Sequence, residues 1–123
     1  MIVDKVKTRK YYESISSDML CECAWCRLYY SESRMAFPEL AEWLSQNGIN
    51  IEKPFEAMSI DPDENGVVEY IGVQYIAFGS CPEDYFHKAG EITIRFASSY
   101  PDTGIMDEHF VLEVYSLKLS MKQ

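Results

Sequence analysis

Val67-Val68-Glu69-Tyr70-Ile71-Gly72-Val73-Gln74-Tyr75-Ile76-Ala77-Phe78 is the stretch on which the fold turns. It is rich in β-branched and aromatic residues, and its apolar positions fall on both parities: Val67, Ile71, Val73, Tyr75 and Ala77 against Val68, Tyr70, Ile76 and Phe78. A strand wetted on one face alternates; a strand covered on both faces does not, so this run reads as the centre of a sheet. Gly72 inside it predicts a bend or a close backbone approach.

The neighbouring segments read as partners for that strand. Upstream, Asp61-Pro62-Asp63-Glu64-Asn65-Gly66 is dense turn chemistry, and Phe55 to Ile60 before it reads as a short strand. Downstream, Gly79-Ser80-Cys81-Pro82 ends the run, and Asp84 to Ala89 reads as one helical turn. Glu91 to Ser98 alternates, with Ile92, Ile94 and Phe96 inward and Thr93 and Arg95 outward; Ser99 to Gly104 is a second turn cluster. From His109 to Met121 the apolar positions are even up to Val114 and odd from Tyr115. Strand side chains alternate strictly, so the phase change predicts a bulge near Val114 to Ser116.

The clearest helix spans about 38–47. Pro38 suits a first turn, where its missing N–H has no partner to lose. Phe37, Leu40, Ala41 and Leu44 form one apolar stripe, Glu39, Glu42, Ser45 and Gln46 face away, and Asn47-Gly48 is a stop signal. Lys7 to Ile15 reads as an edge strand guarded by its basic residues. Residues 19–34 admit two readings: a helix stacking Leu20, Ala24 and Leu28 with Asp18 as N-cap, or a loop shaped by three cysteines. Strands in succession with one good helix and no βαβ rhythm imply an α+β protein. We expect a mostly antiparallel sheet of four to five strands with the 38–47 helix packed on it, in a single domain over residues 1–123. There is no glycine-rich strand-to-helix turn, so a dinucleotide fold is not expected.

The chain carries 11 basic and 20 acidic residues, a net charge of −9, which argues against nucleic acid or an anionic membrane surface as partner. The imbalance sits in residues 55–113, where twelve acids meet only Lys88 and Arg95. Asp61, Asp63, Glu64, Glu69, Glu83 and Asp84 are the candidate acidic face for a basic protein partner. No apolar run is long enough to span a membrane, and Met1 to Lys5 lacks the apolar core of an export signal, so a cytoplasmic protein is expected.

The cysteines are the strongest chemical signal. Cys21, Cys23 and Cys26 lie within six residues, and Cys81 sits in a turn. Four thiolates can close a tetrahedral zinc site, so these four are the candidate metal ligands, with His87 or His109 as substitutes. Were residues 19–30 helical throughout, Cys21 would point away from Cys23 and Cys26 and the site would fail. A redox reading of Cys23-Ala24-Trp25-Cys26 wants a helix N-terminus to lower the thiol pKa, and Glu22 opposes it. Asp61, Asp63, Asn65 and Gly66 match the start of a calcium loop, but Gly72 stands where its bidentate Glu belongs, which favours an acidic hairpin turn. For catalysis the best local pair is His87 with Asp84, without a nucleophile at a strained turn.

The sequence therefore points first to a small acidic, non-enzymatic protein-binding module of the immunity or inhibitor kind. The alternatives are a zinc protein with a cysteine-rich N-terminal site and an enzyme acting on a cationic small molecule, whose charge Tyr and Trp faces would recognise.

Overall fold

The computed structural model describes residues 1–121. In chain order the elements are β1 (Ile2–Val3), α1 (Lys5–Ser14), a 3-10 turn (Ser17–Met19), α2 (Ala24–Ala36), α3 (Pro38–Gln46), β2 (Glu56–Ile60), β3 (Val67–Ser80), β4 (Phe86–Ala89), β5 (Ile92–Phe96), β6 (His109–Tyr115) and β7 (Leu117–Ser120). The architecture is α+β: three helices on a seven-stranded antiparallel sheet curled into a half-barrel. β3 is the centre, as its two-sided apolar pattern requires. One flank carries β2 and, further along, β1; the other carries β6 and β7, followed by β5 and β4. The expectation of four to five strands falls short because the two-residue β1 carries no sequence signal, β4 lies where a helical turn was expected, and the 109–121 run is split into β6 and β7.

The phase change is real, but it is not a one-sided bulge. Val73 faces Val114 and Tyr70 faces Leu117, so β6 and β7 keep one register along β3 and are interrupted at Ser116. The extra residue lies across the ladder, in β3. Against β2, Gly72 faces Met58 but Tyr70 faces Ser59, which leaves Ile71 without a partner. Both central rows thus change phase at the same level. Val68, Tyr70, Val73, Tyr75 and Ala77 all reach the main core despite their mixed parity. A β-bulge also adds twist, in keeping with the curl. Gly72 is a close approach: a Cβ there would lie 2.8 Å from Met58 Cε.

α3 forms as its sequence demands. Leu40, Ala41 and Leu44 are buried, and Glu39, Glu42, Ser45 and Gln46 are exposed. Its end is a Schellman motif: Gly48, at φ +80°, donates to Ser45 O and Ile49 donates to Leu44 O.

Three readings are corrected. Residues 7–15 are not an edge strand. Lys7 to Ser14 belong to α1 and Ile15 is its C-cap; the helix is capped at its start by Asp4, whose carboxylate accepts the Lys7 N–H at 3.0 Å. Its buried stripe is polar, which hid it: Thr8 accepts from the Phe78 N–H at 3.1 Å, and Tyr12 donates to Ile76 O at 2.7 Å. Asp84 to Ala89 is not a helical turn but a tight turn leading into β4. Thr93 is buried rather than outward, on β5 between Lys88 of β4 and Tyr115 of β6. The ambiguous 19–34 segment resolves as loop to Cys23 and helix from Ala24, and Asp18 belongs to the 3-10 turn rather than to a cap of α2.

The main core lies between the helices and one face of the sheet. A smaller cluster of Ile76, Phe78, Ala97 and Val111 fills the other face under Tyr11, Phe55 and Ile105. Among the described residues no helix is long and apolar enough to cross a membrane.

Candidate metal centre

Where α2 begins decides the geometry of the cysteines. Because the helix starts at Ala24, Cys21 and Cys23 precede it, and Cys23 is its N-cap, with the sulfur accepting the Cys26 N–H at 3.4 Å. Cys26 sits one turn in, on the buried face shared with Tyr29 and Ser33. The loop before the helix can then turn Cys21 back toward the other two, which a continuous helix could not do. The three sulfurs lie within 4.8 Å of one another. Zinc–thiolate bonds of about 2.3 Å in a tetrahedron place two sulfurs about 3.8 Å apart, so small side-chain rotations bring all three to one ion.

The backbone around the cluster is held from two sides. Tyr30 donates to Cys21 O at 3.0 Å, fixing the loop against α2. The Tyr70 hydroxyl, arriving from β3, donates to Trp25 O. Behind it, Tyr29 and Tyr75 share a 2.6 Å hydrogen bond, and Tyr75 donates to Ile51 O at 2.7 Å. α2 is thus tied to β3 near the cluster by two separate hydroxyl bonds, Tyr70 to Trp25 O and Tyr29 with Tyr75.

The thiols differ in surroundings. Cys21 and Cys23 are exposed and Cys26 is buried. The Cys26 backbone N–H directed at its sulfur holds the Cys23 thiol below its ordinary value. Burial, then the neighbouring thiols, pushes Cys26 up to about 12. A bound cation reverses that preference, since a coordinating thiol gives up its proton. A cavity of about 260 Å3 beside the cluster is lined by Asp18, Cys21, Glu22, Arg27 and Tyr30 among others, so the open side of the site faces solvent and mixed charge.

Cys81 does not join the group. It follows β3, half-buried, and its thiol reaches Pro82 O at 3.5 Å. His87 and His109 are also apart: His87 stacks on Trp43 with ring centroids 5.2 Å apart, and His109 lies between Thr103 Oγ1 and Asp107 O, 2.8 Å from each. Among the described residues no hydrogen bond or ion pair joins His87 to Asp84.

The acids divide into two sets. Asp61, Asp63 and Glu64 lie in the β2–β3 turn, and Glu69 follows on β3, accepting from Ser116 Oγ at 2.8 Å. Glu83 and Asp84 lie beyond the other end of β3. Fourteen residues of strand lie between the two sets, a path of about 45 Å along the chain at about 3.3 Å per residue. Asp63 is occupied by the turn itself: it accepts from the N–H groups of Val67 and Asn65, which hold its carboxyl below the usual range. That is the acidic hairpin turn that the sequence favoured over a calcium loop.

No known protein family, curated protein or solved structure matches this chain.

Proposed function

We propose that the chain binds a thiophilic metal ion, zinc foremost, through Cys21, Cys23 and Cys26. The convergence of three sulfurs within 4.8 Å at the start of α2 carries this reading. Structural zinc sites are closed by four protein ligands, whereas three-ligand sites keep a position for water or another donor. With Cys81 elsewhere and two of the three cysteines exposed, the chain belongs to the second kind. Such a site keeps one position for water or another donor, rather than closing on a fourth cysteine that would pin the N-terminal segment to the sheet. A basic-partner reading draws its support from net charge alone, because the acids divide between the two ends of β3.

Reduced protein titrated with cobalt(II), then displaced by zinc, tests the reading. One equivalent of cobalt should produce thiolate-to-metal absorption that zinc abolishes. Cys21→Ser and Cys23→Ser should each weaken uptake at least tenfold, and Cys81→Ser should leave it intact. No stoichiometric uptake by the reduced protein, or equal loss in Cys81→Ser, overturns it.

A further inference from the structure

We propose that Cys23 and Cys26 are also a reversible disulfide pair whose oxidation by a peroxide expels the metal. The proposal rests on the metal reading above and adds a modification site to it. Three observations carry it. The two residues stand three apart across the first turn of α2, a spacing at which side chains are neighbours. The Cys26 N–H already points at the Cys23 sulfur at 3.4 Å, and the two sulfurs lie within 4.8 Å, so rotation of the side chains closes the bond without moving the helix. Access is asymmetric: Cys23 is open to a small oxidant in solvent, while Cys26 is 8% exposed and reachable from Cys23. Cys21, two residues before Cys23 and outside the helix, lacks this spacing to either partner.

The chemistry balances with hydrogen peroxide as oxidant. The Cys23 thiolate attacks one peroxide oxygen; an S–O bond forms, the O–O bond breaks and hydroxide leaves, giving a sulfenic acid. The Cys26 sulfur then attacks the Cys23 sulfur; the S–S bond forms, the S–O bond breaks, and a second hydroxide leaves. Two sulfurs lose two electrons in all, and the peroxide gains them. Starting from bound thiolates, two protons from solvent convert the hydroxides to water. The disulfide removes two of three ligands, and Cys21 alone cannot retain a divalent ion. A dithiol reductant reverses the sequence and restores the site.

The test uses the full chain, reduced and loaded with zinc. One equivalent of hydrogen peroxide is added, released zinc is read with a metallochromic dye, and remaining thiols are alkylated before digestion. Cleavage after Lys10 and Arg27 leaves Cys21, Cys23 and Cys26 in one peptide. The expected product carries label on Cys21 only, with one zinc released per peptide oxidised and zinc uptake recovered after dithiothreitol. Cys21→Ser should still form the disulfide, and Cys81→Ser should release zinc as the parent does. Zinc retained by a chain in which Cys23 and Cys26 are oxidised overturns the proposal. So does a bond that maps to Cys21 or Cys81, or irreversible Cys23 sulfinic acid without a disulfide. If the reduced chain takes up no zinc before any peroxide is added, the metal reading itself has failed, and the coupled release fails with it.

Discussion

Tyr75→Phe should destabilise the protein far more than Tyr29→Phe, although both remove one hydroxyl from the same pair. Tyr75 has a single phenolic proton, and it goes to Ile51 O at 2.7 Å. The proton in the 2.6 Å Tyr29–Tyr75 bond must therefore come from Tyr29. Tyr29, Tyr75 and Ile51 are all within 1% of full burial, so a broken bond is not replaced by water. Removing the Tyr75 hydroxyl strands a donor on Tyr29 and the Ile51 carbonyl; at about 1–3 kcal/mol for each unsatisfied buried group, the cost is about 2–6 kcal/mol. Removing the Tyr29 hydroxyl leaves Tyr75 donating to Ile51 and costs about 1 kcal/mol. The double variant strands only the Ile51 carbonyl, so it should be more stable than Tyr75→Phe alone. Urea unfolding at pH 7, followed by far-UV circular dichroism with m-values checked for constancy, measures all three. Equal losses in the two single variants, or a double variant whose loss is their sum, would refute the assigned direction of the bonds.

Three further outcomes follow from the same structure. Burial pushes the phenols of Tyr12, Tyr29 and Tyr75 above their ordinary value. The unfolded chain ionises first as pH rises through about 10, so stability should hold below that pH and fall above it by about 1.4 kcal/mol per pH unit for each tyrosine; urea midpoints that do not change from pH 10 to 11 would contradict this. Gly79→Ala should cost about 2–3 kcal/mol and free β1, because Gly79 has φ +129° and a Cβ there would lie 2.0 Å from Ile2 O; Gly104→Ala, at φ +70° with nothing within 4 Å, should cost about 1 kcal/mol by thermal melting. Ser33→Ala should stabilise by about 1 kcal/mol, since Ser33 Oγ is buried with no hydrogen-bond partner among the described residues and alanine is the better helix former; a loss of stability in the same melt would show that the hydroxyl has a partner.

β3 and α3 were legible in the sequence because their signals are apolar. A two-sided run has no stable place except the centre of a sheet, and a stripe at helical spacing followed by Asn-Gly stops where the cap forms. α1 was not legible because it docks by hydrogen bonds: Thr8 and Tyr12 bury as thoroughly as Leu44, but an apolar count over Lys7 to Ile15 sees a polar segment. The metal centre was legible by composition and not by geometry. Spacing alone could not say that α2 begins at Ala24, which turns Cys23 from a helical position into a cap and lets Cys21 come back. Nor could it say that Cys81, carried to the far end of β3, stands outside the group.

The unpaired Ile71 links these two halves of the reading. Tyr70 and Tyr75 have opposite parity, so on a regular strand their hydroxyls would emerge on opposite faces of the sheet. With Ile71 inserted against β2, and the matching break at Ser116 on the other flank, both tyrosines face the helices. Tyr70 then reaches Trp25 O in the first turn of α2, and Tyr75 reaches Tyr29 one turn further along. A strand without the extra residue would leave Trp25 O, one position from Cys26, without its support from the sheet. The irregularity in β3 does more than end a ladder: it puts Tyr70 on the helix side, where its hydroxyl holds Trp25 O in the first turn of α2, beside the three sulfurs.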